Sequence, residues 1–346
     1  MDTTNPTVII SNNRGNVNII LSKKRLTGTL KVQNWFNFAR FRHDSASKKP
    51  DDLLNKWTEK KITSRAIAKK MYQIGEGKRG YRMSNCAEQI QYSFCSECNA
   101  WQVDHTNLCR DRLCPVCSWR LSLKRFVIMS DVTGKIISDY PSLEYSFVTL
   151  TLKNCAPDDL NDTLTEINQA WKKIRERRTI RHLVAGSAKS IEITYNDLTK
   201  TFHPHVHVII AWKPGGMSTS LISSAWLELL GVKAVIAAQD EQIITVDSGE
   251  DGNSIIGSVL ETFKYAVKSK DMENMPLYIF KKFVGEISGR QLVTFSGVFR
   301  TVAREFHAEK EMERVSDEET ITCKQCKSIY MTKAVAQWCG TGYKWL

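Results

Sequence analysis

The chain has 346 residues, and 49 lysines and arginines against 37 aspartates and glutamates give it a net charge of +12. This length allows a large core and two or three modules, and the basic excess indicates a polyanionic partner, most often nucleic acid, although an acidic membrane surface would also fit. No apolar run is long enough to span a bilayer, and the N-terminal stretch MDTTNPTVIISNNRGN lacks the features of a signal peptide. We therefore expect a cytoplasmic protein with no membrane partner.

The first 85 residues divide into two segments of different character. Residues 1–45 show no sustained hydrophobic period, so we expect an N-terminal segment that is partly disordered. Residues 46–85 read as a basic helical segment, because from Pro50 onward large apolar side chains recur near helical spacing after an acidic first turn. These side chains are Leu53, Leu54, Trp57, Ile62, Ile67 and Met71.

Residues 86–125 form a cysteine-rich segment with six of the ten cysteines of the chain: Cys86, Cys95, Cys98, Cys109, Cys114 and Cys117. In a reducing compartment, such thiols indicate metal ligands or free cysteines rather than disulfides. Two C-x₂-C pairs, Cys95 with Cys98 and Cys114 with Cys117, are separated by fifteen residues, a spacing typical of a structural Zn²⁺ site. Because Cys86, Cys109 and His105 are also within reach, the set of four ligands stays open.

Residues 126–290 alternate strand and helix patterns with hairpin signals. EYSFVTLTLKN, residues 144–154, alternates like a central strand, and a long helix is predicted from residue 158 to residue 183. The runs SIEITYN and FHPHVHVII, joined by a polar, turn-prone segment, predict a β-hairpin. The fold class is therefore α+β, an antiparallel sheet with flanking helices, preceded by the cysteine-rich zinc module.

Two histidines on the second strand of this hairpin are candidate metal ligands. His205 and His207 lie two residues apart and so share one strand face, whereas His203 is next to Pro204 near the start of the strand. Glu192, on the preceding strand, can reach His207 across the hairpin. One carboxylate and two imidazoles suit Mg²⁺ or Mn²⁺ acting on a phosphate better than a closed zinc site, although a strand with polar residues facing water is the plain alternative.

A tyrosine further along the chain is the candidate nucleophile. In ETFKYAVKSK, the pair Glu261 and Tyr265 and the pair Lys264 and Lys268 each have the four-residue spacing of a single helix face. Neighbouring lysines stabilise a phenolate and hold phosphate oxygens. The alternative is a core tyrosine in an amphipathic helix, and Tyr278 is the next candidate if Tyr265 is not the nucleophile.

The C-terminal region, residues 291–346, contains a possible second zinc cluster. Cys323 and Cys326 form a third C-x₂-C pair, and Cys339 follows them. Three thiols are one ligand short of a closed tetrahedral site, and His307 is the only histidine nearby. A set of free thiols in a small module is an equally good interpretation.

In sequence and order, FVTLTLKN, FHPHVHVII and ETFKYAVK resemble the three motifs of rolling-circle replication initiators of small bacterial plasmids, within the HUH endonuclease superfamily. CRDRLCPVCSWRLSLKR, residues 109–125, looks like the cysteine-rich block of the same initiators. The resemblance covers roughly residues 50–290. The Cys95 and Cys98 pair departs from the family block.

The resemblance implies a mechanism and partners for this chain. His205 and His207, with Glu192, would hold the catalytic Mg²⁺ or Mn²⁺, and Tyr265 would cleave single-stranded or hairpin origin DNA and keep the 5′-phosphate. The released 3′-OH would prime synthesis by host replication proteins, a helicase and a polymerase. In the class with one tyrosine, a glutamate stands four residues before it, so Glu261 would act as general base for a water at termination, with Lys264 and Lys268 neutralising phosphate charge.

Other classes of protein share some of these features. Conjugative relaxases carry the metal strand but place their tyrosines near the N-terminus, and transposases of the superfamily are usually much shorter. A zinc-containing DNA-binding regulator without catalysis remains a further alternative, with His205 and His207 as ordinary sheet residues. A small-molecule hydrolase of the metallo-β-lactamase kind is less consistent, because Val208 and Ile209 stand where that class has Asp-His.

Overall fold

The computed structural model of the chain describes residues 50–234, 240–244, 267–306 and 326–346, together with residues 7–10, 19–22, 258, 259, 262 and 323. In the N-terminal segment, Thr7–Ile10 (β1) and Ile19–Ser22 (β2) pair antiparallel in a two-stranded sheet, and the rest of residues 1–45 lies outside the described part. Among the described residues, no helix combines the length and apolarity that crossing a membrane requires.

A five-stranded antiparallel sheet carries the candidate metal ligands. In chain order its strands are β5 (Glu144–Thr151), β6 (Val184–Asn196), β7 (Thr201–Trp212), β8 (Asp240–Ile244) and β9 (Val293–Ser296). Their order across the sheet is β8-β5-β7-β6-β9. The predicted hairpin is confirmed as β6 and β7, and the histidine strand β7 is the central strand.

Helices cover both faces of this sheet. They are, in chain order, α1 (Pro50–Gln73), α2 (Gly77–Ser84), α3 (Pro115–Asp139), α4 (Leu160–Glu176), α5 (Arg178–Arg181), α6 (Thr219–Leu230), α7 (Ser269–Asn274), α8 (Leu277–Ile287) and α9 (Gly297–Glu305). The predicted helix from residue 158 is shorter than expected, because Arg177 adopts an extended conformation with ψ 132° and separates α4 from α5.

The two faces of the central strand pack against different helices. Val206, Val208 and Ile210 belong to a buried cluster that includes residues of α4, α6 and α8. Ile209 and Ala211 point the other way, into a cluster with residues of α3 and α9. Beyond His207, β7 is therefore apolar on both faces, as a strand covered by helices on each side must be.

A second sheet joins the cysteine-rich segment to the end of the chain. Its strands are β3 (Gln89–Cys95), β4 (Ala100–Thr106), β10 (Met331–Trp338) and β11 (Tyr343–Trp345), all antiparallel in the order β11-β10-β3-β4. Met331 pairs with Cys95 in the register of β10 and β3. The predicted α+β class, with antiparallel sheets and flanking helices, is confirmed.

A buried lysine and a tryptophan pair attach α1 to the start of the cysteine-rich segment and to α3. The Lys61 side chain is fully buried, and its Nζ donates at 2.7 Å to the carbonyls of Ser84 and Cys86 and to the Glu88 carboxylate. Trp57 packs edge to face on Trp119 of α3, with ring centroids 5.0 Å apart. An ammonium group in such a position stays stable only because all three of its donors are used.

Candidate metal centre and cysteine clusters

One carboxylate and two imidazoles converge on one face of the central sheet. Glu192 lies opposite His205 in the register of β6 and β7, and Ser190 lies opposite His207. Glu192 Oε2 is nevertheless 3.0 Å from His205 Nε2 and 3.2 Å from His207 Nε2. Because side chains alternate along a strand, the i and i+2 histidines meet the same carboxylate. One ligand atom from each of the three residues lies within 4.8 Å of the others.

Residues of β5 hold His207 in this orientation. Thr149 Oγ1 is 3.2 Å from His207 Nδ1, so the nitrogen facing Glu192 is Nε2. The His207 ring also stacks on Phe147, with centroids 5.7 Å apart and planes 9° from parallel. A partner on the second ring nitrogen is a common way of fixing the orientation and tautomer of a metal-binding histidine. Thr149 was absent from the predicted site, although it lies on the alternating face of EYSFVTLTLKN.

The donor set fits a divalent cation. Glu192 and His207 are each only 4% exposed, and a buried carboxylate that faces two imidazoles needs a compensating positive charge. Among the described residues, His205 Nδ1 is buried and has no hydrogen-bond partner. Oxygen and imidazole nitrogen suit Mg²⁺, Mn²⁺ and other divalent ions of the first transition row, so these three residues could hold any of these metals.

His203 and Asp271 lie at the edge of this centre. Burial lowers the pKa of His203, and the neighbouring His205 lowers it further, which favours a neutral ring. Burial raises the pKa of Asp271, the charge of Glu192 acts in the same direction, and the backbone N–H of Tyr195, which donates to Asp271 Oδ2 at 3.0 Å, opposes the shift. Sequence reasoning missed Asp271, because KSKDMEN carries no spacing that relates it to β6.

The segment with the candidate nucleophile lies mostly outside the described residues. Glu261, Lys264 and Tyr265 are among the residues that the structure does not describe. The residues on either side of them are described. Val259 is buried in the same cluster as Phe147, and Val267 forms a parallel bridge with Ile193, the neighbour of Glu192.

Lys264 lies outside the described residues, so its predicted pairing with Lys268 stays a prediction, but Lys268 itself is not helical. Val267 is in a β-bridge and Lys268 is extended, with φ −72° and ψ 134°, just before α7 begins. A β-branched valine that pairs with a strand interrupts the helical pattern. Lys268 is exposed, and Tyr278, the alternative nucleophile, is 64% exposed on α8.

The first cysteine group, which we call the buried cysteine cluster, consists of Cys86, Cys109, Cys114 and Cys117. The four sulfurs lie within 4.8 Å of one another, and Cys117 Sγ is 3.5 Å from the sulfurs of both Cys86 and Cys109. A tetrahedron of thiolates around Zn²⁺, with bonds of about 2.3 Å, has edges of about 3.8 Å. The observed separations fit this geometry and are too long for disulfides.

The second group, the ribbon cysteine cluster, consists of Cys95, Cys98, Cys323 and Cys326, again within 4.8 Å of one another. Cys95 Sγ is 3.5 Å from Cys326 Sγ, and Cys98 Sγ is 3.5 Å from Cys323 Sγ. The backbone N–H of Cys98 is the main cause that lowers the pKa of the Cys95 thiol to about 7, which favours a thiolate ligand.

Two predicted ligand groupings are therefore corrected. The pair Cys95 and Cys98 does not join the pair Cys114 and Cys117, because each pair completes its set with cysteines from elsewhere in the chain. Cys339 is not the third ligand beside Cys323 and Cys326; it is exposed in the turn between β10 and β11. His105 lies on β4 outside both clusters, and His307 lies outside the described residues.

Backbone conformation supports both clusters as metal sites. Among the described residues, five non-glycine residues have positive φ, and all but Lys200 directly follow a cysteine of one of the clusters. These four are Ala87, Asn99, Arg110 and Lys327, with φ between 53° and 67°. Such conformations cost on the order of 1–3 kcal/mol each and persist where the surroundings impose them. A metal that draws in the preceding thiolate is one such constraint.

The geometry thus defines an α+β protein with a carboxylate and two imidazoles that could hold a metal on its main sheet, and with two four-cysteine clusters. The family model described as "Replication protein" matches residues 100–344. The chain belongs to this family, and the resemblance to rolling-circle replication initiators of small plasmids is confirmed. A replication initiator binds DNA, in agreement with the basic composition.

Several curated proteins are similar to most of the chain. "Protein rep" of Streptococcus pneumoniae serotype 2 is 24% identical over 288 residues, covering 79% of this chain and 85% of that protein. "Protein rep" of Lactiplantibacillus plantarum is 24% identical over 297 residues, covering 82% and 92%. "Protein rep" of Staphylococcus aureus is 25% identical over 226 residues, covering 63% and 94%. No solved structure matches the chain.

Proposed function

We propose that this replication protein is a metal-dependent, site-specific DNA endonuclease and strand transferase that nicks the origin of its replicon. The observation that carries the proposal is the convergence of Glu192, His205 and His207 within 4.8 Å on one sheet face. A non-catalytic regulator has no need of a buried carboxylate that faces two imidazoles. The centre is accessible for chemistry through His205, whose side chain is 15% exposed.

Tyr265 is the proposed nucleophile. Val267 bridges Ile193 beside Glu192, and Tyr265 stands two positions before Val267, a span of roughly 7 Å when extended. This proximity supports a phenol that reaches a phosphate bound at the three ligands. The order of elements, with the tyrosine after the histidine strand, also agrees with an initiator rather than a relaxase.

The reaction transfers the DNA 5′-phosphoryl group from a 3′ oxygen of the DNA to the oxygen of Tyr265. A divalent cation bound at the site would polarise the scissile phosphodiester and stabilise developing negative charge. The Tyr265 phenol loses its proton and its oxygen bonds to phosphorus, the bond from phosphorus to the 3′ oxygen breaks, and that oxygen takes up a proton. The products are a 5′-phosphotyrosine and a 3′-OH primer. At termination, Glu261 removes a proton from the attacking water, while Lys264 and Lys268 neutralise phosphate charge.

The two cysteine clusters are proposed to bind structural Zn²⁺. Their thiols lie at tetrahedral spacing, and the ribbon cysteine cluster links residues 225 positions apart in the chain. The partners that follow from this function are single-stranded or hairpin origin DNA and the host helicase and polymerase that extend the released 3′-OH.

A covalent capture experiment tests the nucleophile. The protein is incubated with a labelled single-stranded origin oligonucleotide and Mn²⁺, and the adduct is resolved on a denaturing gel. Tyr265→Phe should abolish the adduct and leave oligonucleotide binding intact, because only the attacking oxygen is removed. Tyr278→Phe is the matched control, since this exposed tyrosine lies on α8, and it should form the adduct normally. If Tyr265→Phe forms the adduct and Tyr278→Phe does not, the nucleophile is Tyr278 and the assignment to Tyr265 is wrong.

A further inference from the structure

A basic cleft lies between the cysteine-rich module and the main domain. It has a volume of about 210 Å³, and its lining includes four arginines, Arg79, Arg82, Arg110 and Arg112, with Asp111 the one acidic residue. One wall comes from α2, a second from residues 109–114, and the third from the turn that follows α8. Four positive side chains against one negative side chain leave the lining with a net charge of +3.

The single carboxylate is already paired within the lining. Arg79 donates to Asp111 from Nε at 2.8 Å and from Nη2 at 3.1 Å, the two-bond geometry that arginine forms with a carboxylate. The Asp111 side chain is only 6% exposed, and it also accepts from the backbone N–H of Leu113 at 3.0 Å. Asp111 therefore organises the cleft and leaves its remaining positive charge in place.

The buried cysteine cluster holds the loop that supplies two of the arginines. We call residues 109–114 the arginine loop, because Arg110, Asp111 and Arg112 stand between the cluster residues Cys109 and Cys114. Arg110 has φ 59°, which turns the backbone directly after Cys109. Fixing both ends of a short loop reduces the entropy that ligand binding would otherwise cost.

Arg112 is fixed from the other side of the cleft. Its Nη1 donates to the carbonyl of Arg290 at 2.7 Å and to that of Ile287 at 3.3 Å. Carbonyls at the C-terminal end of a helix carry partial negative charge, so the guanidinium stabilises the end of α8. Arg82, Arg110 and Arg112 are all exposed to solvent. Arg82 and Arg110 are the two to substitute, because Arg112 also holds the end of α8.

We propose that this cleft binds the phosphate backbone of DNA at a second contact, separate from the metal centre. Guanidinium groups match phosphate oxygens in two-bond geometry, and among the described residues that line the cleft there is no aromatic ring on which a base would stack. The contact therefore positions the DNA without reading its sequence. This proposal shares with the proposed function only the assumption that the protein binds DNA, and it does not depend on the nicking reaction.

The cleft and the metal centre are on different sides of the main sheet. Phe283 of α8 stacks on Phe202 at 5.4 Å, in the cluster with Val206 and Val208. Glu192 and His207 point to the opposite face, where Phe147 and Ile209 are buried. Substitutions of exposed cleft arginines consequently leave the metal ligands untouched.

The test compares two double variants that change net charge equally. Arg82→Gln with Arg110→Gln removes two cleft charges, and Arg178→Gln with Arg181→Gln removes two exposed charges from α5. Binding to a labelled DNA duplex of mixed sequence is measured by fluorescence anisotropy over a series of salt concentrations. The slope of log affinity against log salt is negative, and each lost phosphate contact makes it shallower by about 0.9. The slope of the cleft variant should therefore be shallower by about 1.8 than that of the unmodified protein. The α5 variant should keep the slope of the unmodified protein.

An unchanged slope in the cleft variant would overturn the proposal, as would an equal loss in both variants, which would mean that only net charge matters. The zinc content and the unfolding midpoint of each variant exclude a folding defect. Covalent adduct formation with an oligonucleotide too short to reach the cleft should be normal in the cleft variant. If the unmodified protein forms no adduct, the proposed nicking function is wrong. The salt dependence of binding still tests the cleft on its own.

Discussion

Replacing Glu192 by glutamine is the sharpest perturbation of the metal centre. The substitution keeps the shape of the side chain and removes its charge at a position that is 4% exposed. Oε2 of Glu192 faces both imidazoles at 3.0 and 3.2 Å, so one of the three proposed ligands loses its charge. Loss of an outer-shell partner typically lowers metal affinity or activity by about 10- to 100-fold. A direct ligand should cost more than about 100-fold, or about 2.7 kcal/mol.

The assay measures metal binding and cleavage separately. Mn²⁺ binding is followed by electron paramagnetic resonance of the free ion, and nicking of the single-stranded origin oligonucleotide is followed over the same Mn²⁺ titration. Thr149→Val is the matched control, because the Thr149 hydroxyl contacts the His207 nitrogen that faces away from Glu192. This substitution should cost about 10-fold. Zinc content should be unchanged in both variants, because the cysteine clusters lie apart from this centre.

Two results would contradict this reasoning. Mn²⁺ affinity of Glu192→Gln within tenfold of the unmodified protein would show that the carboxylate is not a ligand. Loss of zinc in step with Glu192→Gln would show that the metal centre and the cysteine clusters are not independent sites.

Three further predictions concern stability and metal content. Lys61→Met should lower the free energy of unfolding in urea by about 3–5 kcal/mol, because two carbonyls and a carboxylate lose their buried ammonium partner, whereas exposed Lys69→Met should have little effect. The purified protein should contain two zinc ions per chain, of which Cys326→Ser removes one and Cys339→Ser none; loss with Cys339→Ser would contradict the ribbon cysteine cluster. Burial lowers the pKa of Lys189 from 10.5 to about 8, so the unfolded chain binds more protons between these values and stability rises with pH across this window, by about 3 kcal/mol at most. Lys189→Met should remove that rise, and a rise that persists would assign it to another group.

Local patterns in the sequence predicted the elements and part of the site. The two-residue period of β7 is enough to place His205 and His207 on one face, and the apolar spacing of residues 50–73 is enough to predict α1. These predictions succeed because each depends on backbone geometry within a single element. Glu192 was found in the same way, since a short hairpin restricts which residues of its two strands can meet.

Only the tertiary structure decided which cysteines belong together. Three C-x₂-C pairs are visible in the sequence, yet Cys98 lies beside Cys323, 225 residues away, rather than near Cys114. Spacing fixes the distance between two thiols of one turn, but the turn that completes a tetrahedron depends on how β10 pairs with β3.

The arginine cleft and the contact of Thr149 with His207 likewise depend on the tertiary structure. Arg79 and Arg112 belong to different segments, and they meet only because α2 and the end of α8 pack on either side of the arginine loop. Thr149 reaches His207 through the register of β5 and β7. The sequence by itself determined the helices and strands and the chemical character of their faces, since these depend on neighbours within a few residues. The packing of distant segments determined the ligand sets and the cleft, because such contacts depend on the free energy of the whole core.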